Sequence, residues 1–100
     1  MTSPVLDRAL VEAARDAALS VPGVASLHAG RYGEVAVLLP GTRVMGLRRV
    51  SRAGEDGLEV HLVAQYKASR NMHDVADEVR TVVSEATGLP FVDVVVADAQ

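Results

Sequence analysis

Between Leu58 and Ala97 the spacing of apolar residues changes period twice, and this limits the chain to few folds. Leu58, Val60, Leu62, Ala64 and Tyr66 alternate with Glu59, His61, Val63, Gln65 and Lys67, the period-two pattern of a half-buried strand. Asn71 then offers a helix N-cap, with Asp74 at the third helical position. Met72, Val75, Ala76, Val79, Val82, Val83 and Ala86 follow at helical spacing. Gly88 and Pro90 end the helix, and Phe91 to Ala97 is a second strand. A strand, a covering helix and a return strand form one folding unit, joined by a right-handed crossover that makes the two strands parallel.

The rest of the chain must pack around that unit. Ser3-Pro4 predicts a helix start, with Ser3 as N-cap and Pro4 at the first helical position. Leu6, Ala9, Leu10, Ala13 and Ala17 make its apolar stripe, Ala14 and Ala18 widen it, and Val11 falls among polar residues as an exposed apolar side chain. The helix ends near Ser20, because Pro22 disfavours helical geometry at Val21. Short strands are predicted at Val24–His28, Glu34–Leu39 and Met45–Arg52, the last weakened at Gly46, with a hairpin loop over Gly54–Gly57. The order α-β-β-β-β-α-β predicts an α+β two-layer sandwich, with two helices on one face of a mixed four- to five-stranded sheet. Residues 1–100 form a single domain, long enough to bury a core without a metal or disulfide.

Composition narrows the chemistry. There is no cysteine, which removes disulfides, thiol catalysis and cysteine-held zinc or iron–sulfur centres. His28, His61 and His73 have no metal-ligand spacing, no serine is set in a nucleophile elbow, and Gly30-Arg31-Tyr32-Gly33 lacks the lysine and hydroxyl of a phosphate loop. No catalytic residue, metal or cofactor is expected. The first residues lack the basic start and apolar run of a signal peptide, and no stretch is long enough to span a bilayer. The expectation is a cytoplasmic protein without direct membrane insertion.

Charge is uneven along the chain. Residues 31–52 carry Arg31, Arg43, Arg48, Arg49 and Arg52 against Glu34, while residues 53–100 carry nine acids against Lys67, Arg70 and Arg80. The basic stretch is a candidate contact for an acidic partner or for membrane headgroups, through Arg43, Arg48, Arg49 and Arg52. Arg48 and Arg49 are neighbours and so point to opposite faces of a strand. Nucleic acid is disfavoured, because Tyr32 is the only aromatic near these arginines and the chain is acidic overall. A second candidate is the sheet face away from the helices, where Leu38, Val63 and Val95 would form an apolar patch inside a charged rim.

Several segments in order resemble the alkaline-shock-protein family, the Gls-type envelope stress response proteins. They are the Ala-rich first helix ending in Val21-Pro22-Gly23-Val24, the strand Leu58–Tyr66, the helix segment Val75–Val83, then Thr87-Gly88-Leu89 and Val92-Asp93-Val94-Val95-Val96. Tyr66-Lys67, Arg80 and the arginine-rich middle depart from that pattern. The resemblance implies a non-enzymatic cytoplasmic protein that self-associates and is recruited to the inner face of the cell membrane by a membrane-anchored protein partner, in cell-envelope homeostasis. The competing reading is a small α/β RNA-binding or assembly and maturation module. Its iron–sulfur assembly form would need a cysteine.

Overall fold

The computed structural model describes residues 4–65 and 70–100. The chain runs α1 (Arg8–Leu19), β1 (Val24–Leu27), β2 (Ala36–Leu39), β3 (Thr42–Met45), β4 (Leu47–Arg52), β5 (Glu55–Ala64), α2 (Met72–Thr87) and β6 (Val92–Ala99). The class is α+β, with both helices packed on one side of a mixed sheet.

Strand β5 organises that sheet. On one edge it pairs in parallel with β6, the arrangement expected for a strand–helix–strand unit. On its other edge it pairs antiparallel with both β4 and β1, β4 along Glu55–Val60 and β1 along Leu62–Ala64. The two short strands thus lie end to end as one interrupted edge. At the junction His61 donates its N–H to the Gly46 carbonyl and accepts from the N–H of His28. Residues 29–45 leave the sheet at this point, and β2 and β3 form a separate antiparallel hairpin within that excursion.

Alternation along β5 decides which side is the core. Leu58, Val60 and Leu62 are fully buried and face Val75, Val79 and Val83 of α2 and Val11, Ala14 and Ala18 of α1. Burying each such Val or Leu side chain contributes roughly 1.5–3 kcal/mol. Val37 and Val44, opposite each other in the hairpin, join the same core.

The cap of α2 follows its sequence signal. The Asn71 side chain accepts from the N–H of His73, and Gly88 closes the helix in the left-handed conformation at φ 69°. Its inward face is the row Val75, Val79, Val83 and Thr87, while Met72 and Ala86, placed in the predicted stripe, are exposed. Buried Thr87 is satisfied by donating its hydroxyl to the Val83 carbonyl at 2.7 Å.

Helix α1 departs from expectation. It starts at Arg8, with Asp7 as N-cap accepting from the N–H of Leu10. Ser3, the predicted cap, lies outside the described residues, as do Tyr66 and Lys67 at the predicted end of the long strand. Val11, expected to be exposed, is fully buried. In so alanine-rich a helix, apolar residues occur on several faces, and the bulky Val11 beside small Ala14 and Ala18 sets the packing side.

Two turns are also placed differently from the sequence reading. Gly46 does not sit within one Met45–Arg52 strand but separates β3 from β4, at φ 86°, with the Leu27 side chain occupying the space a Cβ would need. The β4–β5 turn is the two-residue Ala53-Gly54, both residues at positive φ, rather than a loop over Gly54–Gly57. Glu55, Asp56 and Gly57 are instead ladder residues opposite Arg52, Ser51 and Val50. Strand β6 extends to Ala99.

Candidate interaction surfaces

Sheet register fixes where the predicted arginines point. Arg48 and Arg52 share the face away from the helices, while Arg49 points to the opposite face, as expected for neighbours in a strand. Each has a carboxylate partner within the chain. Arg48 donates to Glu59 at 2.6 Å, Arg49 to Asp56 at 2.6 Å, and Arg52 to Asp93. Arg52 also lies over the Phe91 ring at 4.6 Å. Three of the four arginines proposed as an anion-binding cluster are therefore compensated inside the fold, and only Arg43 lacks an ion pair among the described residues.

Two of the carboxylates in this network have further partners. Glu59 is shared, its Oε1 lying 2.6 Å from both Arg48 and the Nε2 of His61. His61, expected at the surface, is half-buried beside it. Asp56 accepts from the Ser51 hydroxyl at 2.7 Å and from Arg49, and these donors hold its carboxyl below the usual value.

The expected apolar patch is not one surface. Leu38 belongs to the β2–β3 hairpin, which forms no ladder with the main sheet. Val63 is buried, at 6% exposure, outside the main core cluster. Val95 alone of the three is an exposed residue of the open sheet face, at 37%.

The hairpin displays a surface that alternation along residues 36–45 creates. Pairing of Val37 with Val44 turns that pair inward, so the pairs Leu38–Arg43 and Ala36–Met45 face outward. Leu38 is 74% exposed and Tyr32, in the loop before the hairpin, 85%. Arg31 stacks over the Tyr32 ring at 5.9 Å, and Arg43 donates to the Gly33 carbonyl at 2.5 Å. The loop between them is held by Glu34, which accepts the Tyr32 N–H at 2.8 Å. Backbone N–H donors of Glu34 itself, Tyr32 and Arg31 lower its carboxyl below the usual range.

Tyr32 and Met45 were not among the sequence candidates for this surface. The signal for Met45 was the alternation of Thr42–Met45 about Val44, hidden because Met45 reads as the start of the next strand. Nothing local marks Tyr32 as exposed.

Among the described residues, no group of three or more histidine, aspartate or glutamate side chains is arranged to hold a metal ion. No helix among them is long and apolar enough to cross a membrane. A groove of about 730 Å3 runs between the outer side of α2 and β6, lined by Met72, Ala76, Arg80, Val94 and Val96 among others. Neither arginine of this groove offers a free charge, since Arg80 binds Asp77 at 2.8 Å and Arg70 binds Glu78 at 2.7 Å. Set against protein-family models, curated proteins and solved structures, the chain matches none.

Proposed function

We propose that this chain is a non-enzymatic scaffold of the cell envelope, recruited to the inner membrane surface by a membrane-anchored protein partner and able to associate with itself. The observation that carries the reading is the outward face of the β2–β3 hairpin. Leu38 and Tyr32, the two most exposed large hydrophobic side chains of that segment, stand beside Arg31 and Arg43, which lack carboxylate partners among the described residues. Exposed aromatic and aliphatic side chains flanked by arginine have the composition of a protein-contact centre. The resemblance of Leu58–Tyr66, Thr87-Gly88-Leu89 and Val92–Val96 to the alkaline-shock-protein family supplies the envelope context.

The geometry narrows the electrostatic side of this reading. With Arg48, Arg49 and Arg52 neutralised in place, an acidic partner would meet two cations rather than five, so docking rests on apolar contact and depends only weakly on salt. The test is membrane co-sedimentation of the tagged protein from its native cells, followed by mass spectrometry of what stays attached. Recovery with one membrane protein, and no binding of the purified chain to lipid vesicles alone, is the expected outcome. A protein found wholly in the soluble fraction would overturn the envelope assignment.

A further inference from the structure

The edge of β6 remote from β5 adjoins the groove beside α2, and the two call for the same kind of occupant. Among the described residues only β5 pairs with β6. Two bonds fix which backbone groups stay unpaired. Leu58 donates its N–H to the Phe91 carbonyl, and Gln100 donates to the Ala64 carbonyl. In a parallel ladder these bonds leave the backbone groups of Val92, Val94, Val96 and Ala99 facing outward. The spacing changes after Val96 because the register shifts between Leu62 and Val63, leaving Ala97 as an extra residue. The regular part of the open edge is therefore residues 92–96. Asp98 follows the shift, exposed, and its carboxylate accepts only the Ala99 N–H among the described residues.

The same residues form the floor of the groove. Alternation before the shift, and the extra residue after it, put Val94, Val96 and Ala99 on the helix side. There they line about 730 Å3 together with Met72 and Ala76 of α2. Arg70 and Arg80 on its rim are already paired with Glu78 and Asp77, so its walls favour apolar side chains. A space of this size takes a short segment rather than a second layer of helices.

We propose that β6 and this groove bind an extended peptide of another protein by strand addition. The peptide runs antiparallel to β6, and its residues opposite Val92, Val94 and Val96 exchange both backbone bonds with them. Residues paired across two strands share a face, so those same three peptide side chains point over the groove and are apolar. The residues between them face the open side of the sheet and are polar. A lysine or arginine just before the residue opposite Val96 meets the Asp98 carboxylate. This charge selects a foreign segment over a second β6, because residues 92–100 carry Asp93 and Asp98 and no lysine or arginine. The site is independent of the hairpin and of any membrane partner.

The probe is the acetylated, amidated peptide Lys-Val-Thr-Val-Thr-Val, titrated into the isotope-labelled full chain and followed by amide chemical shifts. Saturable shifts should concentrate at Val92, Val94, Val96 and Ala76 and leave Tyr32 and Leu38 unmoved. Methylating the backbone nitrogen of the central valine of the peptide removes the donor to Val94 and should weaken binding about tenfold. Methylating the next threonine, whose N–H points away from β6, should change it little. Ala76→Arg fills the groove with a good helix former and should abolish saturation with helical circular dichroism retained. Should that variant fail to fold, Met72→Glu, exposed at the start of α2, puts a charge in the same groove and should also weaken binding. Absence of saturable shifts along β6 at millimolar peptide would overturn the proposal, as would equal binding of the centrally methylated peptide. Binding unchanged by a folded groove variant would overturn it too. Concentration-dependent shifts at β6 without peptide would replace it with a second copy as occupant. None of these results touches recovery of the protein with membranes, which reads the hairpin.

Discussion

Arg52 reaches across β5 to bind Asp93, joining β4 to β6 over a strand that lies between them. The guanidinium rests on the Phe91 ring, and the ring in turn fills the space above Gly57 where a side chain would stand. Gly57 does not have a positive φ, so its role is space rather than backbone freedom. The bridge closes the end of the sheet remote from the hairpin excursion.

Gly57→Ala should therefore destabilise the fold, because the new methyl group meets both the Phe91 ring and its backbone carbonyl. Overpacking of this kind costs about 1–3 kcal/mol. Urea unfolding would show a lower midpoint with an unchanged slope. A midpoint equal to the parent would mean that Phe91 moves aside freely.

The β4–β5 turn contains one residue in a poor conformation. Ala53 sits at φ 51°, in the left-handed region, followed by Gly54 at φ 81°. An ordinary L-residue there costs roughly 1–2 kcal/mol, and asparagine tolerates it best among non-glycine residues. Ala53→Asn should thus raise stability by about 1 kcal/mol, seen as a higher thermal midpoint. A fall would contradict the turn assignment.

Much of the fold was legible because its signals were local. Asn71 and Gly88 bracket α2 by cap chemistry that needs no tertiary context, and the alternation from Leu58 to Ala64 marks the central strand directly. What escaped was decided by packing at a distance. Val11 reads as exposed because an alanine-rich helix carries several weak stripes, and only the position of α2 chooses among them. Strand Thr42–Met45 was missed because Thr42–Val44 follow the Pro40-Gly41 break and Met45 reads as the start of the next strand, where Gly46 looks like a bulge until the Leu27 side chain is seen above it. The candidate sites suffered most. The arginines at 48, 49 and 52 look like an anion site in one dimension, but their partners Glu59, Asp56 and Asp93 lie 7 to 41 residues away.

Acid should loosen the β4–β5 ladder through Asp56. The donors Ser51 and Arg49 depress its carboxyl from the ordinary 3.8, so the folded state binds a proton less readily than the unfolded chain. Its contribution is present above that value and is lost as pH falls through the lower folded value. Glu34, depressed by backbone donors from an ordinary 4.5, acts in the same direction. Asp56→Asn should flatten the acid limb of a stability–pH curve, measured by urea midpoints between neutral and strongly acidic buffers. An unaltered acid limb would show that these donors do not act on Asp56 in solution.

The central claim is that the hairpin face docks a membrane-anchored partner. Its most direct test is fractionation of native cells expressing Leu38→Glu beside the parent chain. Leu38 is 74% exposed, so the substitution should leave stability within about 0.5 kcal/mol. The account predicts that the parent is recovered with membranes and that the folded variant moves to the soluble fraction without its partner. Equal recovery of both proteins with the same membrane partner would contradict it.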